Sequence, residues 1–190
     1  NEGMSFRYYL VHAGHRFDAV VWAQGVKSLD SGPFKALPIK PSKGEGLQLR
    51  TSSQVGPNLI KHKGMFAFQE SPGSWRVGST YSWSDMRPGP SIEALAELKA
   101  RFIELTGISE FALVDHWAGF RPASPDRKAM VGQHPLFDQH YVLNGMGSKG
   151  LLMAPYLSQA LQEEMLGTSG KIPKLCRLER FSKRLVNFKE

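Results

Sequence analysis

The chain has 190 residues, 41% hydrophobic and 22% charged, an ordinary globular balance that suits one good core or two small lobes. It holds no apolar run near the roughly 20 residues of a membrane helix and no basic-then-apolar leader pattern at its start. Its one cysteine, Cys176, can make neither an internal disulfide nor a zinc pattern, so the expected setting is reducing and cytoplasmic, away from membranes. The formal charge is +7, and residues 171–190 carry seven Lys/Arg against two Glu. Most of the excess therefore lies in the tail, which argues against a basic nucleic-acid-binding core.

In chain order, residues 6–12 read as a strand and Ala13, Gly14 and His15 as a turn. Residues 18–23 form a short apolar run whose length suits a strand buried on both faces in a parallel sheet. After a loop with Gly32, Pro33 and Pro38, residues 39–51 alternate around Gly44 and Gly46. Residues 59–68 and 75–81 flank the turn at Ser71, Pro72 and Gly73, so 64–81 is predicted to be a hairpin. Ser91 caps a predicted helix over 92–106, with an apolar stripe of Ile92, Leu95, Leu98, Phe102 and Leu105 and a stop at Gly107. Residues 111–120 read as a buried strand running into Arg121, and 129–132 as a short piece. Residues 140–144 form a strand that meets a glycine turn and a helix over 151–166, where Pro155 predicts a kink or a late helix start. In the tail, Leu175, Leu178, Phe181, Leu185 and Phe188 recur at about helical spacing, which predicts a docked helix with a solvated basic face; a surface for RNA or anionic lipid is the sharper alternative.

Two stretches carry chemistry. Gly145, Met146, Gly147, Ser148, Lys149 and Gly150 spell GxGxxG. A dinucleotide site needs a second strand ending in an acid about 20 residues later. Here Glu163 and Glu164 fall in the same helix, and the pyrophosphate reading fails on context. A helix start still favours negative charge, and glycines admit a large planar group. That leaves a reduced flavin ring or a plain turn. The second stretch places Arg121 between Phe120 and Pro122 at a strand end. A buried guanidinium needs a partner: a substrate carboxylate held by two parallel hydrogen bonds, or a structural acid such as Asp115 or Asp126. The histidines show no metal-ligand spacing. His116, and a loop bearing Tyr81, Trp83 and Met86 that could form a lid, are lesser candidates.

Three stretches in order resemble the C-terminal half of the D-amino-acid oxidase, glycine oxidase and sarcosine oxidase family of FAD-dependent oxidoreductases. DAVVWAQG (18–25) resembles its D-x-V-V-x-A-x-G strand. WAGFRPASPD (117–126) with MVG (130–132) resembles W-x-G-x-R-P-x-T-P-D with a later I-G. YVLNGMGSKGLLMAP (141–155) resembles Y-V-x-x-G-x-x-x-x-G-x-x-x-A-P. The resemblance implies an α+β protein: an α/β FAD lobe, incomplete here, with an inserted mixed or antiparallel β-sheet substrate lobe. The corresponding segments are 1–35 (FAD lobe), 36–122 (substrate lobe), 123–170 (closing strand, turn and helix of the FAD lobe) and 171–190 (basic tail helix).

The resemblance also implies hydride transfer from an amine carbon to flavin N5. Arg121 falls on the family's carboxylate-binding arginine, and Lys149 on the carboxylate-binding lysine of sarcosine-oxidase-like members. Gly25 and residues 145–150 fall on the cofactor side. Phe66 stands where glycine-oxidase-like members place a tyrosine near the substrate, and Met146 where the family has a histidine. No catalytic base is named, because a neutral amine needs none, and no metal is expected. The family's N-terminal FAD-lobe segment is not in the chain, which is expected to need that segment as a partner and to be inactive alone. Two other readings stand: the flavin oxidase part of a tRNA wobble-uridine modification enzyme, with tRNA on residues 171–190, and a non-catalytic substrate-lobe fragment without FAD.

Overall fold

The computed structural model describes residues 10–53, 58–168 and 171–188; residues 6–9 of the first expected strand lie outside them. The chain divides into two units, residues 41–121 and residues 1–40 with 122–190. The architecture is mixed α+β.

The unit of residues 41–121 is a five-stranded sheet with one helix. Its strands are β4 (Lys40–Arg50), β5 (Leu59–His62), β6 (Met65–Ser71), β7 (Ser74–Gly78) and β8 (Ala112–Ala123), in the order β5-β6-β7-β4-β8. The expected hairpin forms: β6 and β7 pair antiparallel, Ala67 opposite Val77. Residues 59–68 are not one strand, because Lys63 (φ 44°) and Gly64 (φ 83°) turn the chain between β5 and β6. Helix α1 (Ile92–Thr106) starts where Ser91 accepts a hydrogen bond from the Ala94 N–H, and ends at Gly107 in the left-handed region (φ 72°).

Leu98 and Phe102 of α1 pack on Leu47, Leu49, Met65, Ala67, Trp75 and Val77. Ile92 does not join this stripe: it is 83% exposed in the first helical turn, and Ala94 is buried instead. Strand β8 is not buried as expected. It lies at the sheet edge, with Leu113 and Val114 exposed.

In the other unit, β3 (Val20–Trp22) pairs parallel with β10 (His140–Asn144), and β9 (Met130–Gln133) pairs antiparallel on β10's far side. The parallel pairing matches expectation, but β3 is not buried on both faces. As the edge strand it packs Trp22 inward and leaves Val21 40% exposed. Strands β1 (Leu10–His12) and β2 (His15–Phe17) form a separate hairpin about Ala13 and Gly14.

Helix α2 (Gly150–Met165) follows a single 3₁₀ turn, Gly147–Lys149, and runs through Pro155, so it has no late start. Its buried residues Leu157, Ala160 and Leu161 pack on Ala129, Val131, Ile172 and Cys176. The tail is not one helix. Arg177 is extended (ψ 140°) and bridges Val131, which breaks the tail into 3₁₀ turns followed by α3 (Ser182–Val186). Leu178 and Leu185 are buried, whereas Leu175 and Phe188 are exposed. No helix among the described residues is long and apolar enough to cross a membrane.

Candidate functional site

Side chains alternate between the faces of a strand, and β4 uses this to separate two chemistries. Lys43, Glu45, Leu47 and Leu49 share one face with the α1 core, while Gly44 and Gly46 lie on the other. The glycines are required by what rests on them. A Cβ at Gly44 would lie 2.0 Å from Nη2 of Arg121, and one at Gly46 would lie 2.6 Å from the Trp117 ring. Phe66 extends the same face two strands away: it pairs with Gly78, and a Cβ there would lie 3.2 Å from its ring. Glycine thus forms the floor beneath Phe66, Trp117 and Arg121.

Arg121 is half-buried. Its Nη2 donates to Ser79 Oγ at 2.6 Å, its Nη1 donates to the Thr80 carbonyl at 3.3 Å, and the guanidinium carbon lies 4.1 Å from the Tyr81 ring centre. Among the described residues no carboxylate is within ion-pair distance of it. Asp126, a candidate structural partner, instead pairs with Arg180 at 2.8 Å. Asp115, the other, is bonded to the His116 N–H. A guanidinium has five N–H donors, and the two neutral acceptors leave three for a ligand oxyanion.

On the opposite face the charges are matched. Lys43, 2% exposed, lies 2.9 Å from Asp85 and 3.3 Å from Glu45. Glu45 accepts from both the N–H and the hydroxyl of Ser91 at 2.8 Å, tying the sheet to the cap of α1. His116 Nε2 is 2.9 Å from Glu45, but off the line of a hydrogen bond. Burial pushes the Glu45 carboxyl up, and the Ser91 bonds and Lys43 outweigh it, leaving a lowered pKa. Bonds from Arg87 and Lys43 hold Asp85 far below the carboxylate range, and Asp85 in turn raises Lys43.

In the other unit, the residues expected on the cofactor side are joined by Asn144, which the sequence reading passed over. Its Nδ2 donates to the Gly25 carbonyl and to Ser28 Oγ, each at 2.9 Å, and its Oδ1 accepts from the Gly145 N–H at 2.8 Å. An asparagine at a strand end before glycine was the available signal. Gly145 (φ 75°) and Gly147 (φ 54°) are left-handed, and a Cβ on Gly145 would lie 2.9 Å from Met130.

Met146 packs into the core beneath α2, and Ser148 and Lys149 are exposed. A Cβ at Gly150 would meet nothing within 4 Å, and one at Gly147 only Ala123 at 3.8 Å. This open, glycine-lined helix start fits the edge of a planar anionic ring such as a flavin. Arg121 and Phe66 thus belong to one unit, and Gly25 and residues 145–150 to the other. Among the described residues no group of three His, Cys, Asp or Glu could hold a metal ion.

A family model described as DAO, FAD dependent oxidoreductase, matches residues 6–164. A glycine oxidase of Pseudomonas aeruginosa is 32% identical over 132 residues, which cover 69% of this chain and 36% of that protein. The tRNA 5-methylaminomethyl-2-thiouridine biosynthesis bifunctional protein MnmC of Maricaulis maris is 32% identical over 130 residues, covering 68% of this chain and 21% of that protein. Among solved structures, glycine oxidase from Bacillus cereus superposes with a TM-score of 0.74 at 21% identity, over 85% of this chain and 45% of its own. Iminodiacetate oxidase from Chelativorans sp. BNC1 gives 0.72 at 21% identity, over 89% and 47%. The chain therefore spans about a third or less of these two sequence relatives and under half of these two structures.

Proposed function

The chain belongs to the DAO family of FAD dependent oxidoreductases, and from that premise we propose that the full-length protein oxidises a small amine bearing a carboxylate, an amino acid or a secondary amine. The observation that carries this reading is Arg121, half-buried without an acidic partner among the described residues and with three N–H donors unused. Arg121 binds the carboxylate edge-on, and Phe66 and Trp117 supply an apolar floor beside it. Lys149, long and exposed in the other unit, is a second cation proposed for substrate binding. Gly25 and residues 145–150, braced by Asn144, receive the flavin edge. Bound FAD supplies the hydride acceptor, and the chain's residues orient the amine carbon toward it and exclude water. No side-chain base is assigned, because a neutral amine leaves no proton to be taken before hydride transfer.

The test is flavin absorbance of the full-length protein and its bleaching under anaerobic conditions by glycine, N-methylglycine or iminodiacetate. Bleaching by a carboxylate-bearing amine, lost in Arg121→Met, supports the reading; bleaching by the matching amine without a carboxylate at equal efficiency sinks it. A colourless, FAD-free protein would favour a non-catalytic module.

A second reading, the oxidase part of a tRNA wobble-uridine enzyme, is favoured by the similarity to MnmC. The tail weakens it. Arg177 pairs with Glu164, Arg180 with Asp126, and Arg184 donates to the Ala36 carbonyl. Lys171, Lys174, Lys183 and Arg184 remain as exposed cations of the described tail, Arg184 bonded among the described residues to a neutral carbonyl. Salt-sensitive tRNA binding that disappears on deleting residues 171–190 would restore this reading.

A further inference from the structure

Tyr81 is 53% exposed, yet the backbone on either side of it is strapped to β4. On one side, the Thr80 N–H donates to the Glu45 carbonyl and the Glu45 N–H donates to Thr80 Oγ1, at 3.2 and 3.0 Å. On the other, Lys43 and Ser82 exchange two backbone hydrogen bonds of 2.9 Å. The strap continues into side chains: the Asp85 N–H donates to Ser82 Oγ, and Asp85 Oδ2 lies 2.9 Å from the buried Lys43 ammonium. An ion pair on the core face of β4 thus anchors the segment whose aromatic ring covers Arg121 on the opposite face. Gly44 approaches the same guanidinium so closely that no Cβ fits.

We propose that Tyr81 is a positioning residue that, with Gly44, fixes the plane of the Arg121 guanidinium, and that the Lys43–Asp85 ion pair holds Tyr81 in place. The proposal rests on the carboxylate-clamp reading of Arg121. Its physical content is preorganisation. An arginine on an open sheet face samples many rotamers, and a ligand that must order it binds more weakly than one that finds it ordered. The ring quadrupole supplies the hold. The planar, restrained fork then presents its free N–H donors as an edge, which suits a planar carboxylate better than a tetrahedral oxyanion.

The experiment uses the full-length protein and two readouts. The first is the Arg121 Nε–H resonance, assigned by its loss in Arg121→Lys, with its ring-current shift and its ¹H–¹⁵N heteronuclear NOE. The second is the dissociation constant for acetate, with methylphosphonate as the tetrahedral comparison. Tyr81→Phe should keep both readouts. Tyr81→Leu should remove the ring-current shift, mobilise the Nε–H and weaken acetate binding about three- to tenfold while affecting methylphosphonate less. Asp85→Asn should move both readouts the same way by a smaller amount. An unchanged, ordered Nε–H in Tyr81→Leu, or a Tyr81→Phe variant that behaves like Tyr81→Leu, overturns the proposal. If the resonance responds as expected but acetate affinity is the same in Arg121→Met as in the parent, the carboxylate reading falls and the positioning role stands.

Discussion

The two faces of β4 carry cations of opposite fate. On the core face, Lys43 is buried between two carboxylates, and Glu45 is further satisfied by Ser91. On the glycine face, Arg121 has among the described residues a hydroxyl, a carbonyl and an aromatic ring and no carboxylate. Burial without full pairing is costly, so the first arrangement is structural. The second keeps hydrogen-bonding capacity in reserve, as a binding site must. The proposed carboxylate site is thus marked by a deficit of partners rather than by the presence of charge.

The largest expected effect separates the faces by stability. Glu45→Ala removes the acceptor of both Ser91 bonds and one partner of Lys43, and should destabilise by about 3 kcal/mol in urea unfolding. Arg121→Met should alter stability by less than about 1 kcal/mol while weakening carboxylate binding at least about tenfold. Equal losses of stability in the two variants would erase the distinction.

Gly44→Ala comes next. Its Cβ falls 2.0 Å from Arg121, so the guanidinium must move, and carboxylate affinity should fall by about the same factor as in Arg121→Met. Gly150→Ala, with open space at its Cβ, should leave both stability and carboxylate affinity near the parent values.

The pH dependence sharpens the contrast. Glu45 and Asp85 have folded pKa values below their ordinary 4.5 and 3.8. Their stabilisation is therefore present above those values and lost as pH falls through the lowered ones. Lys43 is raised above 10.5, so its share is complete below 10.5 and lost as pH rises through the raised value. Burial holds the His134 and His140 imidazoles below their ordinary 6.5, so urea midpoints should be steady between about pH 7 and 10, begin to fall on the acid side near 6.5, and fall again at the alkaline end. In Lys43→Met the alkaline fall should shrink, measured against the parent.

The smallest effect belongs to the tail. Arg180 is partly exposed where it meets Asp126, and Arg180→Ala should cost at most about 1 kcal/mol.

Features legible in the sequence were those with local causes. Ser91 and Gly107 bound α1 because capping and left-handed backbone are decided within a few residues. The β6–β7 hairpin follows from its turn, and the parallel placement of β3 from its short apolar run. The order of the three motifs identified the family. Ile92, Val21 and the broken tail were misread because periodicity gives a face but not what covers it. Ile92 has the spacing of the stripe but sits in the exposed first turn, and the tail yields its helix to the bridge between Arg177 and Val131.

By itself, the sequence determined α1 with its caps, the β6–β7 hairpin, the family and Arg121 as the residue to watch, because propensity, capping and motif order are properties of neighbouring residues. The tertiary structure alone decided that Gly44 must lack a side chain to seat Arg121, that Asp126 is already taken by Arg180, and that Asn144 ties Gly25 to Gly145. Each of these depends on atoms brought together from distant parts of the chain, where strand alternation and packing, rather than sequence spacing, set what touches what.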